Sequence, residues 1–253
     1  MSISGKYIYG IIKSQHDQHF GTIGLQGAEV FTMGLDELAI VVSHYESATH
    51  QTVRSSRKNL LAHQRVLESI MEQQTILPIK FGSLVENQAE IQNLLLNHYD
   101  KFKRNLDWLT DRIELCVKVW WNDMRSIYDE VLQENPEIQS LKVEIGDNGH
   151  PSSMIELGKM VERALEKKKQ DEVMDLFQQL ASISVDAKHN QLVGEQMVLN
   201  GAFLVSTGRE KEFDLLLNEL ATQTGNRFKY KYIGPLAPYS FVNADIHLES
   251  WES

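Results

Sequence analysis

The dipeptide Leu77-Pro78 constrains the fold of this chain more than any other feature. Ahead of it, Leu60, His63, Leu67, Ile70, Met71 and Gln74 recur at three- and four-residue steps, so they share one face of a helix. Pro78 cannot continue that helix, and it biases Leu77 toward an extended backbone. The sequence therefore predicts a helix that empties into a short strand, Ile79-Lys80-Phe81-Gly82. With helices on both sides of it in the chain, that strand is expected to be central to a first domain. Gly82 lets the backbone turn sharply into the next helix.

The segments upstream read as strands. Lys6 to Ile12 is rich in aromatic and β-branched residues. Glu29 to Met33 and Leu38 to Ser43 form a predicted hairpin across Gly34-Leu35-Asp36-Glu37. The unbroken apolar run of the second arm implies burial on both faces. His16 to Gly27 reads as a polar, flexible connection. Ser55 or Ser56 is the expected cap of the Leu60 helix. A second long helix is expected from about Glu86 to Thr110, with Ile91, Leu94, Leu95, Tyr99, Phe102, Leu106 and Leu109 on its apolar side. Residues 1–110 thus form an N-terminal α/β domain, a small sheet with two helices.

Arg112 to Trp120 alternates polar and apolar residues, the mark of a strand with one wet face. Helices follow from Asn122 to Gln133, from Pro136 to near Gly146, and from Ser152 or Ser153 to about Ser184. Asp147-Asn148-Gly149-His150-Pro151 separates the last two as a loop. Gln196 to Ser206 is a buried strand, Glu210 to Thr222 a helix, and Arg227 to Ile233 an alternating strand. Helical crossovers between strands imply a modified ferredoxin-like α/β sandwich at 111–233, with a helical insertion after its first strand. Residues 234–253 are a tail with prolines, aromatics and no helical period, which either packs along the domain or awaits a partner. The fold class is α+β or α/β, in two domains.

Charge narrows the function. The net charge is −10, and the excess is uneven: residues 1–110 hold 10 basic and 11 acidic side chains, the remainder 15 and 24. An acidic surface repels phosphate backbones and anionic lipid, which argues against nucleic acid or a membrane as partner. The one basic run, Lys167-Lys168-Lys169, is bracketed by acids and reads as a solvated helix face. Cys116 is the only cysteine, so no intramolecular disulfide forms, which fits a reducing cytoplasm. The first ten residues lack a signal-peptide pattern, and no apolar stretch is long enough to span a membrane.

Catalytic and metal patterns are weak. His16 and His19 lack an evident third ligand. Gly21, Gly24 and Gly27 do not have the spacing of a phosphate-binding loop. His63 on an apolar helix face reads as a hydrogen-bonded core histidine, Cys116 as a small buried hydrophobe, and Lys80 as one half of a structural ion pair. Catalytic residues, cofactor and metal are all expected to be absent. The sharper reading is an aromatic surface for a protein partner, built by Tyr230, Tyr232, Pro235, Pro238, Tyr239, Phe241 and Trp251.

Several motifs combine into a familiar pattern. Tyr7-Ile8-Tyr9-Gly10-Ile11, Val41-Val42-Ser43, the helix with His63 and Val66, Leu77-Pro78-Ile79-Lys80-Phe81-Gly82-Ser83, and Gly234-Pro235-Leu236-Ala237-Pro238-Tyr239-Ser240-Phe241 occur in that order. Together they resemble the gas vesicle protein F/L (GvpF/GvpL) family along the whole chain. Lys80 stands where that pattern has arginine, which keeps the charge but loses the planar fork. Ala237 stands where a second proline is frequent. The resemblance implies a non-enzymatic accessory protein of gas vesicle assembly, cytoplasmic and vesicle-associated. Its implied partners are the major shell protein and other gas vesicle accessory proteins. A ligand-binding regulatory module with a ferredoxin-like domain is the alternative reading.

Overall fold

The structure, a computed structural model, describes residues 3–47, 53–146 and 150–242. The Asp147-Asn148-Gly149 part of the predicted loop lies outside them. The chain forms two compact units. The first holds the chain up to Glu114 and takes back the stretch from Pro235; the second holds Leu115 to Gly234.

The first unit contains β1 (Ile3–Lys13), β2 (His19–Gly21), β3 (Val30–Leu35), β4 (Leu38–Ser47), helix α1 (Arg57–Met71), β5 (Ile76–Pro78), β6 (Leu84–Val85) and helix α2 (Gln88–Leu109). The sheet order is β2-β3-β4-β1-β5, with β6 also paired to β1. Helix α1 packs against β1 and β5, and α2 against β1, β3, β4 and β5. Leu38 to Val42 are at most 1% exposed, so the continuous apolar run is buried on both faces as its composition required. The hairpin turns at Asp36, whose φ is 53°, between the paired residues Leu35 and Leu38. Ser56 caps α1, its hydroxyl accepting the Asn59 N–H at 3.2 Å. Asn87 caps α2 in the same way, accepting from Glu90 N–H at 3.1 Å.

The structure corrects the reading around Pro78. The strand is Ile76–Pro78, ahead of the predicted Ile79–Gly82, and it lies at the edge of the sheet, not its centre. The central strand is β1. An edge position is where a proline without an N–H is tolerated. Ile79 N–H still donates to the Tyr9 carbonyl at 2.9 Å, after which the chain turns through Gly82 (φ 97°). On β1 the pairing slips between Ile8 and Gly10. The slip changes the phase of the strand, so Tyr7, Tyr9 and Ile12 join one core cluster with Val66, Leu67 and Ile70 of α1. Gly10 permits the close approach of β5: a Cβ there would meet Ile76 at 2.7 Å and the Leu77 carbonyl at 2.8 Å.

The connection His16–Gly27 is also more ordered than its glycines suggested. It contributes β2, and the Leu25 N–H donates to the Tyr9 hydroxyl at 2.8 Å while Leu25 itself is fully buried.

The second sheet is built from β7 (Arg112–Trp121), β8 (Asp186–His189), β9 (Met197–Ser206) and β10 (Phe228–Leu236). Its order is β10-β7-β9-β8. Numbered along the chain, that is 4-1-3-2, the arrangement of a β-α-β-β-α-β ferredoxin-like unit. Helices α3 (Met124–Glu134), α4 (Pro136–Ile145) and α5 (Pro151–Ser182) lie between β7 and β8, and α6 (Glu210–Gln223) lies between β9 and β10. Strand β8 completes the motif and was not expected. Its sequence Asp-Ala-Lys-His has almost no apolar content, because it is an outer strand facing water. It pairs antiparallel with β9 from Asp186 against Leu204 to His189 against Gly201.

Of the basic run on α5, only Lys167 is solvated. Lys168 and Lys169 side chains are only 11% and 5% exposed. Lys169 lies over the Trp121 ring and pairs with Glu166 at 2.7 Å. Lys168 reaches Glu134 at 2.7 Å and Glu130 at 3.0 Å. Arg227 binds Glu130 through two parallel bonds of 2.6 and 2.7 Å, and also binds Glu172. Glu172 in turn accepts the Trp121 indole N–H at 3.0 Å. The Arg227 guanidinium holds the Glu130 carboxyl at a pKa of about 2. Arg227→Met would leave two half-buried carboxylates with Lys168 as their one remaining cation among the described residues. It is expected to lower unfolding stability by about 2 kcal/mol, measured by urea titration at neutral pH.

Candidate functional site

The described surface of the first unit carries an apolar groove with a volume of about 520 Å³. One wall is α1, which presents Leu60, His63, Gln64, Leu67 and Glu68, a stripe at helical spacing. A second wall is the connection after β5, with Pro78, Lys80 and Phe81. The third is the chain's far end, with Leu236, Ala237, Tyr239 and Val242.

His63 is the polar centre of this region. It is 4% exposed and is surrounded by the rings of Tyr7, Tyr9, Phe81 and Tyr239, with centroids 5.5 to 6.3 Å away. Tyr7 Oη lies 2.8 Å from Nδ1, and Tyr239 Oη lies 2.5 Å from Nε2. One arrangement of protons satisfies every group. The Gly82 N–H donates to Tyr7 Oη at 3.1 Å, and Tyr7 then donates to Nδ1. Nε2–H donates to Tyr239, whose hydroxyl makes a long 3.4 Å bond to the Ile79 carbonyl. This requires a neutral imidazole. Burial among neutral rings favours the same state: it lowers the His63 pKa from 6.5 to about 4, against a smaller opposing effect of the Ile79 carbonyl. Desolvation likewise raises the pKa of Tyr7 and of Tyr239, so both hydroxyls stay protonated. His63 is thus a hydrogen-bonded core histidine.

Glu114 makes the second anchor of the returning chain. Its carboxylate accepts the Ser240 N–H at 2.8 Å and the Ser240 hydroxyl at 2.7 Å. Ala237 and Phe241 are 4% and 8% exposed. Of the two fates open to the tail, its described part packs, and it packs into the first unit.

The proposed partner-facing residues fall in different places. Pro238 and Phe241 are buried in the first unit, whereas Tyr239 is 41% exposed while it directs its hydroxyl to His63. Pro235 is exposed near the end of β10. Tyr230 is half-buried and hydrogen-bonds Thr224 at 2.9 Å. Tyr232 is 37% exposed and stacks on Phe213. Trp251 lies outside the described residues. Lys80 is exposed and has no ion-pair partner among the described residues, contrary to the ion pair expected for it. Cys116 is half-buried. His19 is exposed and meets Glu29 at 2.9 Å. Among the described residues no three His, Cys, Asp or Glu side chains are grouped to hold a metal ion, and no helix is long and apolar enough to cross a membrane. Tyr7 and Tyr9 read in the sequence as strand residues and part of the family motif, and Glu114 as a wet-face position of β7, none of them as a site residue. The Tyr-x-Tyr spacing on β1 was the available signal for the first two.

These features define a two-unit α+β protein whose polar centre holds the segment returning after Gly234 and whose groove is apolar. The family model described as "Gas vesicle synthesis protein GvpL/GvpF" matches residues 5–243, and the chain belongs to that family. Gas vesicle protein F of Microcystis aeruginosa is 25% identical over 242 residues, covering 94% of this chain and 98% of the relative. Gas vesicle protein F of Haloferax mediterranei is 23% identical, covering 96% and 94%. The fold matches the crystal structure of gas vesicle protein GvpF from Anabaena sp. PCC7120 with a TM-score of 0.78 at 24% identity, covering 94% of this chain and 95% of that one. The crystal structure of GvpF from Microcystis aeruginosa matches with a TM-score of 0.79, also at 24% identity, covering 94% and 98%.

Proposed function

We propose that this protein is a minor accessory protein of gas vesicle assembly. It binds the major shell protein in the cytoplasm, keeps it from aggregating, assists nucleation, and accompanies the vesicle. The observation that carries this reading is the family match along residues 5–243. The physical need is clear. A wall that keeps liquid water out requires subunits with a strongly apolar face, and such subunits aggregate when free. A soluble acidic chain that covers that face would hold them until they join the wall. The work is binding alone, without a covalent step, and other accessory proteins of the vesicle are further candidate partners.

The shell contact is assigned to the second unit, along β10. Among the described residues this strand is outermost in its sheet, with β7 beside it. It offers Tyr232 and part of Tyr230 to solvent, a combination suited to strand addition. The test is affinity capture of co-expressed shell protein by the tagged full chain. Replacing Tyr230 and Tyr232 together by Ser is expected to reduce capture about tenfold. Undiminished capture would remove β10 as the contact, and no capture by the unaltered chain would remove the reading.

A further inference from the structure

The segment that returns to the first unit is held differently from everything beneath it. Residues 237–242 belong to no strand. Pro238 carries no N–H, and the Tyr239 and Phe241 N–H groups donate inside the segment, to the Ala237 and Pro238 carbonyls at 2.8 and 3.2 Å. Its polar anchors on the rest of the unit are therefore side chains: His63 for Tyr239, and Glu114 for Ser240. The layer below is tied by main-chain ladders, with β1 paired to β4, β5 and β6. A segment fixed by a few side chains over a sheet fixed by its backbone can leave while the sheet stays.

His63 sits at the boundary between the two. On its inner side are Tyr7 and Tyr9 of β1, both 0% exposed, with Tyr45 of β4 beyond Tyr7. On its outer side is Tyr239, 41% exposed. Three charged groups share the groove lining with His63: Glu68 on α1, Lys80 after β5, and Glu114 at the start of β7. The acids outnumber the lysine, so local charge does not oppose a cation here. The obstacle to a proton on the ring is burial, and the returning segment supplies the outer part of it. A proton on Nδ1 would also make that nitrogen a donor. Tyr7 Oη already accepts the Gly82 N–H, so its own hydrogen would lose its acceptor. Lifting the outer cover admits water to the ring and relieves the burial.

We propose that residues 237–242 form a latch that opens as one piece, with the rest of the first unit still folded, and that taking up a proton on His63 favours the open state. Opening removes the third wall of the groove and leaves Leu60, Leu67 and Phe81 on an open face. A ring that titrates near pH 6.5 when open and near pH 4 when closed makes opening about tenfold more favourable at pH 5.5 than at pH 7.5.

Amide hydrogen exchange of the full chain, corrected for the intrinsic effect of pH, tests this through the Tyr239, Ser240 and Phe241 amides. At pH 7.5 they are expected to be protected, but at least about a hundredfold less than the β1 amides. At pH 5.5 their protection should fall about tenfold and remain below that of β1. His63→Gln is expected to flatten this fall to less than about twofold. Ser240→Ala keeps the histidine and removes one hydroxyl bond to Glu114. It should lower latch protection about tenfold at both pH values while the fall with pH persists, so the test stands even if the His63 variant does not fold. Latch amides unprotected at pH 7.5, or protected as strongly as β1, would overturn the proposal. So would latch protection that ignores pH in the parent, a fall that His63→Gln shares, or Ser240→Ala exchanging as the parent does.

Discussion

A chain ended after Gly234 is expected to lose about 4 kcal/mol of unfolding stability in its first unit. Three contributions add to this. Phe241 is 8% exposed and Ala237 4%, and uncovering an aromatic side chain costs about 2–3 kcal/mol. The Tyr239 hydroxyl leaves His63 Nε2, and a buried donor without its acceptor costs about 1–3 kcal/mol. Glu114 loses both bonds to Ser240. A single substitution isolates the packing contribution: Phe241→Ala is expected to cost about 3 kcal/mol. Urea unfolding followed by tryptophan fluorescence measures both. A truncated chain with the midpoint of the full chain would show that the returning segment adds nothing. The same reasoning makes tail deletion a poor probe of partner binding, because it would damage the first unit as well.

The second large effect concerns His63 and pH. An unfolded chain protonates this histidine near pH 6.5, whereas the folded site does so only near pH 4. The folded state binds fewer protons between those values, so stability rises with pH there. The contribution is fully present above pH 6.5 and is lost as pH falls toward 4. The gap corresponds to about 3 kcal/mol, and at 4% exposure solvent screening reduces it little. His63→Gln removes the titration. The variant is expected to be about 2 kcal/mol less stable than the parent at pH 7.5, from imperfect hydrogen bonding to Tyr7 and Tyr239. Its deficit should shrink by about 2 kcal/mol at pH 5, because only the parent then takes the proton penalty. A deficit independent of pH would mean that His63 is not held neutral.

Local pattern was legible in the sequence wherever burial follows a single period. On α2, six of the seven expected apolar positions are fully buried, and only Tyr99 is partly so. The hairpin β3–β4 and the Ser56 cap were equally readable. The failures have separate causes. Strand β8 is polar because it faces water on the outside of its sheet, so it leaves no periodic trace. The phase change on β1 arises from pairing with another strand, which single-sequence alternation does not encode. Glu114 fell on the predicted wet face of β7, yet Ser240, 126 residues away in the chain, covers it. Lys168 and Lys169 resemble a solvated run until Glu130, Glu134 and Trp121 arrive from other elements. His63 was recognisable as a core histidine, but its partner Tyr239 lies 176 residues further on. The groove exists because the chain closes on itself, so its third wall had no local signature. In the second unit, the alternation of strands and helices fixed the ferredoxin-like character even with β8 missed, since each helix crossover restricts how the neighbouring strands connect.

In the proposed role, a folded acidic chain keeps an apolar building block in solution. Light scattering after dilution of denatured shell protein tests it most directly. With the full chain present in equimolar amount, scattering is expected to stay near the buffer baseline, and shell protein should elute with this chain in gel filtration. Scattering that rises as fast as without it, with all the shell protein in the pellet, would contradict the account.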